Sequence, residues 1–207
     1  MSLWGRVFAA MYDRLMAGSE KAGLAQQRGE LLERARGRVL EIGGGTGANL
    51  PYYGAEVEEL VFAEPEEPMA RRLERKVREQ SRPVQVVRAA AEQLPFDDAR
   101  FDTVVSTLVL CTVDDPRRAL SEIHRVLRPG GQLLFLEHVR SDDPKLARWQ
   151  DRLNGLNMRI GHGCNCNRRT LEAVEKAGFA VSNVTRGQFP KAPPMVRPLV
   201  AGAAVRV

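Results

Sequence analysis

The chain has 207 residues, 43% of them hydrophobic, enough for one domain with a sizeable core. Lys and Arg number 31 against 26 Asp and Glu, and the net charge of +5 is spread along the chain, which describes a solvated basic surface with some attraction for phosphate of nucleic acid or anionic lipid. Three cysteines argue against a secreted disulfide framework, no apolar run approaches the ~18 residues of a membrane span, and the N-terminus lacks a signal-peptide pattern; the expected setting is the cytoplasm, with peripheral membrane contact left open.

Residues 3–16 carry Leu3, Trp4, Val7, Phe8, Met11 and Leu15 at helical, one-sided spacing. A polar helical segment follows over about 20–36 and stops at Gly37. "RVLEIG" reads as a short buried strand, and 57–63, "VEELVFA", ends in a second. "EEPMARRLERKVREQ" is a charged helix with Pro68 in its first turn, and "VQVVRA", 84–89, a third strand. "FDTVVSTLVL", 101–110, is a fourth strand running into a loop. The helix 114–127 has Pro116 early and "RPGG" as its stop. "QLLFLEHV", 132–139, is the fifth strand. Residues 143–160 read as a helix with Leu146, Trp149, Leu153 and Leu156 on one side, and 168–178 as another closed by Gly178. "FAVSNVTRG" and "LVAGAAVRV" are late strands joined by a Pro-containing connection, 189–198. Strand and helix alternate through most of the chain, so the expected fold is α/β, a parallel sheet with helices on both faces. The last two strands have no helix between them and should pair antiparallel.

"VLEIGGGTG", Val39 to Gly47, places a glycine loop at the carboxyl end of the first strand, where such sheets bind ligands. There is no Gly-Lys-Ser/Thr ending, which disfavours a triphosphate-cradling loop. The spacing G-x-G-x-G and the 36 residues ahead of the strand fit a dinucleotide domain poorly. Glu41 would repel a pyrophosphate but suits a cationic ligand. Glu64 ends the second strand about 20 residues on, where a carboxylate accepts ribose hydroxyls. The ligand should therefore carry a ribose and a cationic end.

With these features, "AAAEQLPFDDARFDTVVSTLVL" and "EIHRVLRPGGQLLFLEHV" over residues 35–140 resemble class I S-adenosylmethionine-dependent methyltransferases of the ubiquinone/menaquinone-type branch. "STLVLCTV", "FLEHVR", a tryptophan soon after, "GCN" at 163–165 and "MVRP" are similar to the alkyl-thiol methyltransferase family, whose eukaryotic members are membrane-associated. Related bacterial sequences are often labelled phospholipid or quinone methyltransferases. The resemblance implies a Rossmann-like, seven-stranded, mostly parallel sheet with an antiparallel last strand. It implies one domain over 1–207: an N-terminal helical lid, 1–36; a cofactor-binding core, 37–140; an acceptor-side insert, 141–167; and a C-terminal helix and β-hairpin, 168–207. S-adenosylmethionine is the implied cofactor and S-adenosylhomocysteine the product. Gly43, Gly44, Gly45, Thr46 and Gly47 should pass under the methionine portion, Glu41 should help hold its ammonium, and Tyr12 should contact its carboxylate. Glu64 should bind the ribose, with Pro65 and Met69 beside the adenine and Ala91 and Glu92 flanking it. Thr107 and Leu108 should offer backbone to the amino acid end. Many relatives have Asp where Ala90 stands, so backbone atoms or Glu92 must take over that adenine contact.

The cofactor carries the activated methyl, so the protein must align a nucleophile with it in a dry site. A thiol acceptor must become thiolate, an amine needs a free lone pair, and a phenol or enol carbon is helped by a base. His138, at the end of the fifth strand, is the candidate base; His124, mid-helix, reads as structural or solvated. In "HGCNCN", three metal-capable side chains fall short of the four a structural zinc needs, so no metal is expected. Cys111, Trp149 and Cys164 are candidates for the acceptor pocket. The N-terminal helix reads as a lid over the site, or as a membrane contact carried by Trp4, Arg6 and Arg14. The expected activity is methyl transfer to a small apolar or lipid-like acceptor: a thiol, a quinol or a phospholipid amine. The alternative is a nucleic-acid methyltransferase or binding module. "STLV" replaces the Asn-Pro-Pro-Tyr-like loop of base-amine methyltransferases and no aromatic basic stripe appears, so no nucleic-acid partner is expected. A cofactor sensor or oxidoreductase is a third reading.

Overall fold

The computed structural model describes residues 3–207 and, of the first ten side chains, only Ala9. The side chains of Leu3, Trp4, Arg6, Val7 and Phe8 lie outside that description. Helix α1 spans Leu3–Ser19. A wide turn over Glu20–Leu24, with Gly23 at φ 128°, leads into α2, Ala25–Leu32. The segment expected as one helix to residue 36 is thus broken at its glycine and ends early.

Seven strands follow in one sheet: β1 Gly37–Ile42, β2 Val57–Ala63, β3 Val84–Val87, β4 Phe101–Thr107, β5 Leu127–His138, β6 Phe179–Gln188 and β7 Pro198–Arg206. Their spatial order is β3-β2-β1-β4-β5-β7-β6. β7 runs antiparallel to both β5 and β6; the pairs among β1 to β5 are parallel. β5 begins at Leu127, so "RPGG" bulges within the strand rather than capping the helix before it. The helices are α3 Glu67–Val77, α4 Pro116–Val126, α5 Pro144–Ile160 and α6 Thr170–Lys176. Asp115 caps α4 and Asp143 caps α5, each accepting backbone N–H bonds ahead of a first-turn proline.

Alternation along the strands splits the core into two layers. Leu40, Ile42, Val61 and Val104 pack with Leu120 and Ile123 of α4. Val39, Leu60, Phe62 and Val105 pack with Leu31 and Leu32 of α2 and Leu73 of α3. Glu41 shares the second face with Val39, which turns its carboxylate toward α2. The chain reverses its progress across the sheet between β1 and β4, and this switch point opens the crevice at their carboxyl ends.

Candidate active site

The glycine loop leaves β1 through Gly43, Gly45 and Gly47, all at positive φ (57°, 54° and 80°). A Cβ on Gly43 would sit 2.5 Å from Val109, so the loop is packed directly against the segment after β4. A Cβ on Gly45 would meet nothing nearer than 3.9 Å, so this glycine gives an open approach to its backbone. Glu64, buried at the end of β2, accepts from Gly45 N–H at 2.7 Å and from Glu66 N–H at 2.8 Å. Burial pushes its carboxyl up, and these two bonds pull it back.

Glu41 accepts from the Tyr53 hydroxyl at 2.5 Å. Beside it, buried Arg28 of α2 donates to Asn49 Oδ1 at 2.9 Å, and Asn49 donates to Thr107 Oγ1 at 2.9 Å. Burial raises Glu41 from 4.5 to about 8, against the opposing hydrogen bonds and the Arg28 charge. Burial thus favours the neutral form of this carboxyl, and an added cation facing it would favour the carboxylate. α1 closes over the loop: Asp13 accepts from Thr46 Oγ1 at 2.5 Å and pairs with Lys76 at 3.5 Å. Tyr12, one residue earlier, has its hydroxyl pushed up by burial, with Arg28 opposing and Glu20, Cys111 and Asp13 reinforcing. Its environment therefore includes the charge of Arg28 and the Cys111 thiol described next.

Beyond the ends of β4 and β5 lies a sulfur-rich wall. Cys111, Cys164 and Cys166 are buried with no disulfide, against Met195 and Val196. His138 Nδ1 lies 3.5 Å from Cys164 Sγ and 3.8 Å from Cys111 Sγ, and the two sulfurs are 3.8 Å apart. The ring packs on Phe189, centroids 5.0 Å apart. His138 Nε2 is buried and has no hydrogen-bond partner among the described residues. The Cys111 contact, with His138 adding to it, holds Cys164 below the ordinary thiol range; the same contact and burial push Cys111 up. Buried Glu137 fixes the Cys111 segment: it accepts from Ser106 Oγ at 2.7 Å, from the amides of Val109 and Leu110 at 3.0 Å, and from Cys111 at 3.2 Å. Asn165 N–H donates to Cys111 O at 2.7 Å and Asn157 Nδ2 to Cys164 O at 2.7 Å. Arg168 holds the carbonyls of Leu110 and Val113.

A methyltransferase domain model matches residues 40–135. Human thiol S-methyltransferase TMT1A is 32% identical over 204 residues, covering 96% of this chain and 83% of its own. Human thiol S-methyltransferase TMT1B is 36% identical over 203 residues, covering 94% and 81%. The chain belongs to the class I S-adenosylmethionine-dependent methyltransferases. A solved Thermotoga maritima methyltransferase, described as a possible histamine N-methyltransferase, matches this methyltransferase at 25% identity and TM-score 0.72 over 98% of both chains. The open approach at Gly45 and the buried carboxyls of Glu64 and Glu41 fit S-adenosylmethionine, whose sulfonium supplies the methyl when bound.

Several sequence expectations change in this methyltransferase. Trp149 is 58% exposed on α5 and lies outside the sulfur wall, because that helix buries Ala147 and Gln150 instead. Leu108, in the left-handed region at φ 61°, donates its N–H to Leu136 O at 2.8 Å, so that amide is already taken. One oxygen of Glu92 accepts from the amides of Asp114 and Asp115, which makes it a brace for the loop after β4. Met69 and Ala91 are buried and Pro65 is exposed. His124 packs edge-on against Phe179, with centroids 5.3 Å apart, as a structural residue. Cys164 meets Cys111 and His138, from two other segments of the chain. Arg28, Asn49, Tyr53, Glu137 and Arg168 went unselected from sequence. Glu137, beside His138 in "LEHV", carried the only local signal.

Proposed function

We propose that the acceptor is a small apolar thiol and that the product is its methyl thioether. The observation carrying this reading is the acceptor-side wall of Cys111, Cys164 and Cys166 with Met195, Val196 and the His138–Phe189 stack. Such a lining favours a soft, apolar group over a charged amine. The likeness to two human thiol S-methyltransferases across nearly the whole chain supports it. His138 Nδ1 faces the sulfurs, so in the metal-free protein Nε2 is the ring atom that takes the acceptor's proton. The wall excludes water and Glu137 fixes its position, so the thiolate is held dry and in line with the transferred methyl. The test is incubation with methyl-labelled cofactor and separate thiol, quinol, amine and phospholipid acceptors, read by mass spectrometry. Label on sulfur alone supports the reading; label on a quinol or phospholipid amine in preference to every thiol overturns it.

Glu41 gives the cofactor step a pH dependence. Its folded value, about 8, lies above the ordinary 4.5, so the cofactor-free protein loses stability as pH rises from 4.5 to about 8. The ammonium end of the cofactor favours the carboxylate, so binding near pH 7 should release a proton and tighten as pH approaches 8. Titration calorimetry in buffers of different ionisation enthalpy measures that proton. Equal heats in all buffers would remove Glu41 from the contact.

The methyltransferase also works at a membrane surface on this reading. No helix among the described residues is long and apolar enough to cross a membrane. α5 is turned inside out: it buries Gln150, which donates to three carbonyls, and exposes Trp149, Leu156 and Ile160 among Arg148, Arg152 and Arg159. Met11 and Leu15 of α1 are exposed as well. Apolar side chains ringed by arginine suit an anionic lipid interface. Replacing Trp149 and Ile160 together by alanine should reduce co-sedimentation with phosphatidylglycerol vesicles several-fold and leave cofactor affinity unchanged. Equal sedimentation of the variant and the parent would sink the idea.

A further inference from the structure

We infer that Cys111, His138 and Cys164 form a three-ligand site for a zinc-like divalent cation. The three donor atoms come from the loop after β4, the end of β5 and the turn after α5, and all lie within 4.8 Å of one another. In a tetrahedral zinc site with Zn–S about 2.3 Å and Zn–N about 2.0 Å, two sulfurs stand about 3.8 Å apart and a sulfur and a nitrogen about 3.5 Å. The separations here are 3.8 Å between the sulfurs, 3.5 Å from Cys164 to Nδ1 and 3.8 Å from Cys111 to Nδ1. The three edges therefore describe one face of such a tetrahedron with little adjustment.

The donors are also held before any ion arrives. Glu137 and Asn165 fix the backbone of Cys111, Asn157 fixes that of Cys164, and Phe189 covers the imidazole. Two thiolates beside a dication make a neutral group, which an apolar wall tolerates better than either charge alone. Among the described residues no fourth Cys, His, Asp or Glu joins the cluster. A zinc with three protein ligands keeps its fourth position open, the arrangement of catalytic rather than structural sites.

That open position fits an acceptor thiol, an extension that rests on the proposed acceptor. The thiol would bind as thiolate and release its proton to solvent. With the cation on Nδ1, the ring proton stays on Nε2, and His138 acts as a ligand rather than a base. The sulfur would then take the methyl as the cofactor's sulfonium–methyl bond breaks to give S-adenosylhomocysteine, and would leave as a neutral thioether, a much weaker ligand than thiolate.

The test uses the full chain, purified reduced and stripped by chelator, then loaded with Zn(II) or Co(II) and desalted. One ion per chain is expected by elemental mass spectrometry. The cobalt form should show the intense sulfur-to-metal charge-transfer and d–d absorption of a tetrahedral thiolate site. Cys111→Ser and Cys164→Ser should each lower metal affinity at least tenfold. Retained cofactor binding shows that a variant is folded. For a variant that fails to fold, the parent gives the answer: in urea just below the unfolding transition, where the stripped protein's Cys111 and Cys164 react with maleimide, zinc should protect both, as mapped by peptide mass spectrometry. No retained metal in the parent, an octahedral cobalt spectrum, or equal labelling with and without zinc overturns the site. Thioether formed at full rate by stripped protein removes the cation from the chemistry while the acceptor reading stands. One bound ion with no thioether from any thiol supports the site and overturns the acceptor reading.

Discussion

Glu137→Ala should lower the free energy of unfolding by about 3–5 kcal/mol, the range for removing one partner from a buried, charge-assisted network. The carboxylate is buried and accepts from one hydroxyl and three consecutive amides of the loop that carries Cys111. Alanine strands all four donors away from water, and Leu108, already in the left-handed region, loses the neighbours that hold it there. Glu137→Gln keeps one carbonyl acceptor and should recover part of the loss, whereas its amide nitrogen faces a donor. Urea unfolding of the three proteins measures the ladder. A loss below about 1 kcal/mol for alanine would mean that water replaces the carboxylate, and the rigid-wall argument would fail.

The sheet was legible because its signals are local. β1, β2, β4 and the second half of β5 are each marked by a short apolar run, and the missing helix between β6 and β7 announces their antiparallel pairing. The placement of Glu41, Glu64 and the glycine loop near the carboxyl ends of β1 and β2 was legible for the same reason: their spacing follows from one strand–loop–strand unit. What escaped depends on partners far apart in sequence. Arg28 reaches Asn49 from a helix whose composition reads as solvated, and Gln150 on α5 serves three carbonyls from three segments. Trp149 misled because apolar spacing identifies a stripe without saying which side the protein covers; here tertiary hydrogen bonding chose the polar side. The grouping of Cys111, His138 and Cys164 was equally invisible. Cys111 and Cys164 lie 53 positions apart, and only the crossing from β4 to β5 and the return of α5 bring them together.

The second large effect lies at the cofactor. Glu64→Ala should weaken S-adenosylmethionine binding by about 1–3 kcal/mol, roughly 5- to 150-fold in Kd. Two losses combine. On the proposed reading the carboxylate's remaining lone pairs accept from the ribose hydroxyls, and Glu64 also fixes the glycine loop through Gly45 N–H. Without that tie, the loop at Gly45, which has no packed side chain of its own, must be ordered by the ligand, and ordering lowers affinity further. Glu64→Gln separates the terms: its carbonyl can still accept from Gly45 N–H, while its amide cannot accept from a hydroxyl. Calorimetry should therefore place glutamine between the parent and alanine. Thr46→Ala, which breaks only the contact to Asp13 of α1, should change affinity less than either. Glutamine binding as poorly as alanine would assign the effect to ribose recognition alone. Affinity unchanged in both would remove Glu64 from the cofactor site and, with it, the ribose as the feature that selects this ligand.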